Sequence, residues 1–409
     1  MSSQHATYVV IGAGQAAGRA VEAMRGEGFE GRIVVVGTED HLPYERPPLS
    51  KQLLTGDYEP ERTYLHDQAF YDEHRIELRL RTSALAIDRD ARTVDLSDGE
   101  SLSYDKLLLT TGARVRRLSS PGSDLPGINY LRDISDSLAI RGHFAEGARL
   151  VIVGGGYIGL EAAAAAASRG CHVTVLEMAP LVMNRVVAPD VSRFYEAVHR
   201  DHGVDIRTSA TVEGFAGGDR VEAVLSGDGV SIPADFVVVG VGIEAEATLA
   251  EAAGLPIDNG IMVDEYGRTE DPAIFAAGDV ANHPNPLLGR RVRLESWQNA
   301  QNQAINTARA MCGRLEPYAE IPWFWSNQYD LNLQMVGLPE TWDQLVVRGD
   351  MADHRFSVFY LADGSLVAAN GINSPRDVRV ARMLMEQNIR PDSAALGDPD
   401  TPLKSLLAG

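Results

Sequence analysis

Two copies of one glycine-rich, phosphate-binding turn predict an α/β chain with two Rossmann-like dinucleotide-binding domains and a C-terminal α+β domain. Three observations carry that prediction. The turns Gly12-x-Gly14-x-x-Ala17 and Gly154-x-Gly156-x-x-Gly159 each lie between a short apolar strand and a helix, and they are 142 residues apart. At 409 residues the chain is too long for one ordinary core. After Pro322 the pattern changes, and "RFSVFYLADGSLVAANGI" reads as a hairpin turning at Asp363-Gly364.

The turns need small residues for separate reasons. The first glycine makes the tight bend, and the second lets backbone N–H groups approach a pyrophosphate. The third small residue lets the helix pack on the strand with its positive N-terminal end toward the anion. In the first copy, "YVVIGAGQAAGRAVEAMRGEGF", the strand Tyr8 to Ile11 leads into a helix ending near Gly28. In the second, "RLVIVGGGYIGLEAAAAAASRG", the alanine run Ala162 to Ala167 suits a helix lying close to a sheet. Ile158, inside the second turn, is counted among its cofactor-binding residues.

Ribose recognition should follow each turn. The strand "HVTVLE" ends in Glu177, 23 residues beyond Gly154, where a carboxylate accepts from ribose hydroxyls and repels a 2′-phosphate. That predicts NADH over NADPH at the second site. After the first turn Gly37 fills the acid's slot, so Glu39 becomes the candidate ribose partner, beside Thr38.

Two nucleotide sites in one chain suggest electrons passing between a retained and an exchanged dinucleotide. Two further segments favour FAD as the retained one. "YDKLLLTTGA" is a buried strand stopped at Thr111-Gly112, and "DPAIFAAGDV" ends in Gly278-Asp279, where a carboxylate can bind ribityl hydroxyls. "FVVVGVG" is a strand that closes the inserted NADH domain at Gly242.

Composition narrows the function. The chain is 44% hydrophobic and 23% charged, as in soluble globular proteins. A net charge of −20 disfavours nucleic acid as partner. The only cysteines, Cys171 and Cys312, have neither metal-ligand nor CxxC spacing, so inert thiols in a reducing cytoplasm and no metal site are expected. The polar start "MSSQHAT" has no signal-peptide pattern, and the most apolar stretch is broken by glycines and carries Glu161, which argues against a membrane span.

On "PPLSK", "VIVGGGYIGLE", "VVVGVG", "AAGDV" and "PWFWSNQ", the sequence resembles the FAD-dependent, NADH-using ferredoxin reductases, whose fold is glutathione-reductase-like. The resemblance spans essentially the whole chain. It implies an FAD domain from residues 1–113 and 244–320, an NADH domain from 114–243, and a C-terminal domain from 321–409. Its implied FAD contacts include Ala16, Arg46, Ala84, Arg132, Asp279, Trp297 and Trp325, the two tryptophans covering the flavin. Thr38 stands where a family member carries an aspartate, which puts that contact in doubt.

The stretch "PYERPPLSKQLL" reads as a loop stiffened by prolines around Lys51. The resemblance sets Lys51 beside the reactive flavin nitrogen, ion-paired with Glu161, as the catalytic pair. Disulfide reductases of this fold need a CxxxxC pair in the first domain, and this chain has no cysteine before Cys171. Electrons must therefore pass from flavin to an external acceptor. The implied acceptor is a two-iron two-sulfur ferredoxin serving a monooxygenase, with a haem enzyme favoured. Alternatives are an NADH oxidase, a rubredoxin-type reductase, or a flavoprotein whose redox state controls association with a partner. Arg309, Arg314, Arg116 and Arg117 are candidates for a basic ferredoxin-docking patch.

Overall fold

Parallel strands buried on both faces build the first unit. The computed structural model describes residues 5–408; the first four residues of the polar start and Gly409 lie outside the described residues. The chain divides into two compact units. One comprises the chain up to Arg46, then Pro60–Arg114 and Ile243–Pro322; the other comprises Pro47–Glu59, Val115–Gly242 and the chain from Trp323 onward.

In the first unit, strands Thr7–Ile11, Arg32–Val36, Ile76–Arg79, Lys106–Leu109 and Ile274–Ala276 form one parallel sheet. Successive side chains on a strand point to opposite faces. Tyr8, Val10, Ile33 and Val35 therefore pack with helices Gln15–Gly26 and Trp297–Met311. Val9, Ile11, Val34 and Val36 pack on the other face, with Val94, Leu96 and Leu102 of a small antiparallel sheet. With both faces covered, the strands read as continuous apolar runs. Each fully buried Val, Leu or Ile contributes about 1.5–3 kcal/mol.

The second unit repeats the plan. Strands Ile128–Tyr130, Arg149–Val153, His172–Leu176, Asp205–Arg207 and Phe236–Val239 form a second parallel sheet. Helix Tyr157–Ser168 lays Leu160, Ala162, Ala163 and Ala166 into its core, so the alanine run is packing. A five-stranded antiparallel sheet, Trp323–Gln328 through Ser365–Ile372, contributes Leu331, Leu333, Phe356 and Tyr360 to the same core. Its last hairpin turns on Asp363 at φ 48° and Gly364 at φ 72°, the positive pair a two-residue type I′ turn requires.

The proline-rich stretch is more ordered than a loop. Pro47–Ser50 form a 3₁₀ turn and Gln52–Thr55 one helical turn, with Lys51 between them donating its N–H to Pro48 O at 3.1 Å. The fixed φ of proline is compatible with a helical first turn, which proline spacing alone does not distinguish from extended loop.

Two histidines are sealed in, His199 at 0% and His283 at 1% exposure, and burial lowers both to a pKa of about 4. In the unfolded chain each would titrate near 6.5. Between those values the unfolded chain binds more protons, so their contribution to stability is intact above about pH 6.5 and is lost as pH falls toward 4. Tm should decline from pH 7 to pH 5, and His283→Leu should make the decline shallower. Parallel pH profiles for the two proteins would contradict this account.

Candidate functional site

In the first unit, Gly12 sits at φ 100°, and a Cβ there would lie 2.3 Å from Thr110 O. Gly14 caps helix Gln15–Gly26 without a side-chain cap, and a Cβ on it would meet nothing within 4 Å. That open space before uncapped N–H groups fits a pyrophosphate. Ala17 is fully buried, where the helix packs on the sheet. A Cβ on Gly278 would lie 3.3 Å from Ala16 Cβ, so the end of strand Ile274–Ala276 closes on the turn. Gln15, which the sequence did not single out, ties the turn to Trp297 by donating to its carbonyl at 3.2 Å.

Gly37 is small because Ala13 of the turn crosses the strand end; a Cβ there would be 2.3 Å from Ala13 Cβ. Glu39 already accepts from Tyr44 Oη at 2.5 Å and from Arg46 Nη2 at 2.9 Å, while Arg46 lies over the Tyr44 ring. A ribose would have to share Glu39 with them. Thr38 is exposed, and Ala84 is half-buried at the start of a largely exposed strand. Thr111 donates to Glu246 O at 2.6 Å, Gly112 adopts φ 70°, and the Asp279 carbonyl accepts from Arg293 at 3.1 Å.

The second turn repeats the geometry within the second unit. Gly154 is at φ 110°, with a would-be Cβ 2.4 Å from Gly240 O. Gly156 again caps a helix with open space before it, and a Cβ on Gly159 would be 2.1 Å from Gly154 O. Ile158 is 45% exposed at this helix start, and Gly242 adopts φ 105°. Glu177 is aimed by two backbone donors, Gly155 N and Ala179 N, each at 2.7 Å.

Also in the second unit, Lys51 Nζ lies 2.7 Å from Glu161 Oε2, with side-chain exposures of 13% and 2%. Ser50 Oγ donates to the same oxygen at 2.5 Å, and Ser326 Oγ donates to Oε1 at 2.7 Å. Lys51 also donates to Pro47 O at 3.2 Å, so the prolines present an acceptor as well as stiffness. Neither serine was predicted. Alternation along strand Trp323–Gln328 could have found Ser326, because it faces opposite to its neighbour Trp325. Trp323 is half-buried and stacks on Trp325 at 5.2 Å, two residues along the same face. Phe324 packs instead on Tyr157 at 4.8 Å. Arg132 shares this unit, its backbone N–H donating to Asp136 at 2.8 Å.

Two expected docking arginines are neutralised. Arg309 and Arg314 share Glu27 at 3.2 and 3.3 Å, and Arg314 also meets Glu316 at 2.9 Å. Arg116 and Arg117 are exposed, Arg117 over the Tyr130 ring at 4.8 Å. Both cysteines are unpaired; burial raises the Cys171 thiol and pushes Cys312 up to about 11. Thiols raised in this way stay protonated and unreactive near neutral pH. Among the described residues no His/Cys/Asp/Glu cluster could hold a metal, and no helix is long and apolar enough to cross a membrane.

Residues 6–304 match the pyridine nucleotide-disulphide oxidoreductases, and residues 323–407 match the reductase C-terminal family. The chain belongs to the pyridine nucleotide-disulphide oxidoreductase family. Within it, the chain is 45% identical to the ferredoxin–NAD(+) reductase component of the anthranilate 1,2-dioxygenase system of Burkholderia cepacia, over 98% of this chain and 99% of that protein. It is 42% identical to putidaredoxin reductase of Pseudomonas putida, over 98% and 96% respectively. The covalent putidaredoxin reductase–putidaredoxin complex contains a chain that superposes with a TM-score of 0.96 at 41% identity, covering 99% of both chains. Proteins of this family use FAD and NADH, and the glutathione-reductase-like α/β fold follows from the same match. The disulphide in the family's description has no counterpart in this member's first domain, which holds no cysteine before Cys171.

Two glycines of the second turn, Gly154 and Gly156, allow folding and binding to be tested separately. Gly154→Ala forces a Cβ onto backbone at positive φ and should lower Tm by several degrees. Gly156→Ala fills only open space at φ −79°, so Tm should hold while the NADH Kd rises about tenfold. Unchanged NADH affinity in a folded Gly156→Ala enzyme would remove this turn from the nucleotide site.

Proposed function

We propose that this oxidoreductase is the NADH:ferredoxin reductase of an oxygenase system, catalysing NADH + 2 oxidised ferredoxin → NAD⁺ + H⁺ + 2 reduced ferredoxin. The full-length likeness to ferredoxin reductase components carries this reading. FAD, when bound, takes two electrons as hydride and gives them up one at a time, as a two-iron two-sulfur acceptor requires. The relatives serve a dioxygenase system in one case and partner putidaredoxin in another, so the terminal enzyme is stated as an oxygenase, haem or otherwise. Two unpaired thiols suit a reducing cytoplasm, which we take as its compartment.

The residue roles belong to this proposal. Gly12, Gly14 and Ala17 would hold the FAD pyrophosphate, with Glu39, Arg46 and Asp279 as its polar partners. Gly154, Gly156, Gly159 and Glu177 would hold NADH. Lys51 would place a fixed positive charge beside the flavin, and Glu161 would hold Lys51 in place. Trp297 and Trp325 would exclude water from the ring. The FAD domain would take residues 1–113 and 244–320, the NADH domain 114–243, and the C-terminal domain 321–409.

Cytochrome c reduction by NADH should be fast only when a two-iron two-sulfur ferredoxin is added; equal rates without it would point to another acceptor. Glu177→Ala should reduce the NADH-over-NADPH ratio of kcat/KM by roughly tenfold. Equal use of both cofactors by the wild type would refute the Glu177 role. Lys51→Met should keep FAD bound and slow anaerobic stopped-flow reduction by about ten- to a hundredfold. An undiminished rate would reduce Lys51 to a structural residue.

A further inference from the structure

The Glu161–Lys51 pair is the end of a longer buried chain. Ser326 Oγ, which donates to Glu161 Oε1 at 2.7 Å, itself accepts from Gln328 Nε2 at 3.2 Å. Gln328 Oε1 lies 2.8 Å from His199 Nε2, and a carbonyl oxygen only accepts, so His199 carries its proton on Nε2. That leaves His199 Nδ1 as an acceptor, and the Tyr329 hydroxyl donates to it at 3.0 Å. Every donor in the series therefore points toward Glu161. The three middle residues are sealed, with Ser326 and His199 at 0% and Gln328 at 1% exposure. Ser326 and Gln328 share one face of strand Trp323–Gln328, and His199 comes from helix Pro189–Asp201.

Sealing an imidazole, an amide and a hydroxyl behind a catalytic candidate is costly unless each is satisfied. Here each is satisfied in one direction only, with the dipoles aligned on a buried carboxylate, where low polarity strengthens them. We propose that Ser326, Gln328 and His199 are positioning residues, a one-way hydrogen-bond chain that fixes the aim of Glu161 and, through it, the placement of Lys51. The inference rests on the reading of Lys51 as the flavin-side cation. The chain does not carry protons, because an amide cannot pass one on without leaving its stable tautomer. Gln328 stands in the middle as an insulating link. Keeping His199 neutral matters for the same reason: a protonated ring would donate from both nitrogens and turn the Tyr329 contact around.

The test uses the FAD-loaded holoenzyme. Gln328→Leu breaks the chain two hydrogen bonds from Glu161, and should slow anaerobic flavin reduction on the order of tenfold while the NADH Kd stays unchanged. Ser326→Ala should do the same, and Ser326→Thr, which keeps the hydroxyl, should restore most of the rate. In a Lys51→Met background Gln328→Leu should add nothing further, since both act through one group. An independent readout is the histidine nitrogen-15 spectrum of the wild type at pH 7, assigned with His199→Gln. It should show a neutral, Nε2-protonated ring with a slowly exchanging proton. A charged or Nδ1-protonated His199, or additive effects of Gln328→Leu and Lys51→Met, overturns the chain. If Lys51→Met alone leaves reduction fast, the reading of Lys51 fails; if Lys51→Met slows it and Gln328→Leu and Ser326→Ala do not, only the chain fails.

Discussion

The carboxylate of Glu161 sits at 2% side-chain exposure in a helix otherwise lined with leucine and alanine. An ionised group so placed is destabilising by several kcal/mol unless opposite charge and donors surround it. The donors come from far along the chain: Ser50 is 111 residues away and Ser326 is 165 away. The short Pro47–Glu59 segment, the middle of the chain and the C-terminal sheet therefore meet at this carboxylate within one unit. Removing a partner would leave a buried charge unpaired, which is why this contact, and not a surface ion pair such as Arg81–Asp40, constrains the unit.

The two phosphate turns solve one packing problem in opposite ways. In the first, residue 13 is alanine, and the facing strand end at residue 37 must be glycine. In the second, residue 155 is the glycine, and the facing strand end carries the Glu177 side chain, whose Cβ would be 3.1 Å from a Cβ at 155. Space between the turn and the neighbouring strand admits one side chain, not both. Where the turn takes it, the next carboxylate stands further along the chain, at Glu39. Where the turn yields it, the acid stands at the strand end and is fixed by the turn's own N–H.

Features governed by local backbone rules were legible in the sequence. The Gly12 and Gly154 turns, the Asp363-Gly364 hairpin and the alanine helix each follow from residues within a few positions. Features governed by packing were not. Nothing local marks His199 as the partner of Gln328, 129 residues away, because a histidine on a helix looks the same paired or solvated. The 3₁₀ turn at Pro47–Ser50 was hidden because proline permits it without demanding it. The pairing of Arg309 and Arg314 with Glu27 was hidden for a related reason: Glu27 is distant from both in sequence.

The thiols decide how this family member differs from its disulphide-reducing kin. A dithiol relay needs a low-pKa thiolate and a second sulfur within bonding distance. Here one thiol is raised by burial beneath the alanine helix, and the other is pushed up to about 11. Neither can act as a nucleophile near neutral pH, and no cysteine precedes residue 171. With the internal relay chemically closed, the electrons that hydride delivers have no stopping place in the protein beyond the flavin itself. An external acceptor then becomes a requirement of the reaction, and at the start of its C-terminal sheet this chain sets a half-buried aromatic pair, Trp323 and Trp325.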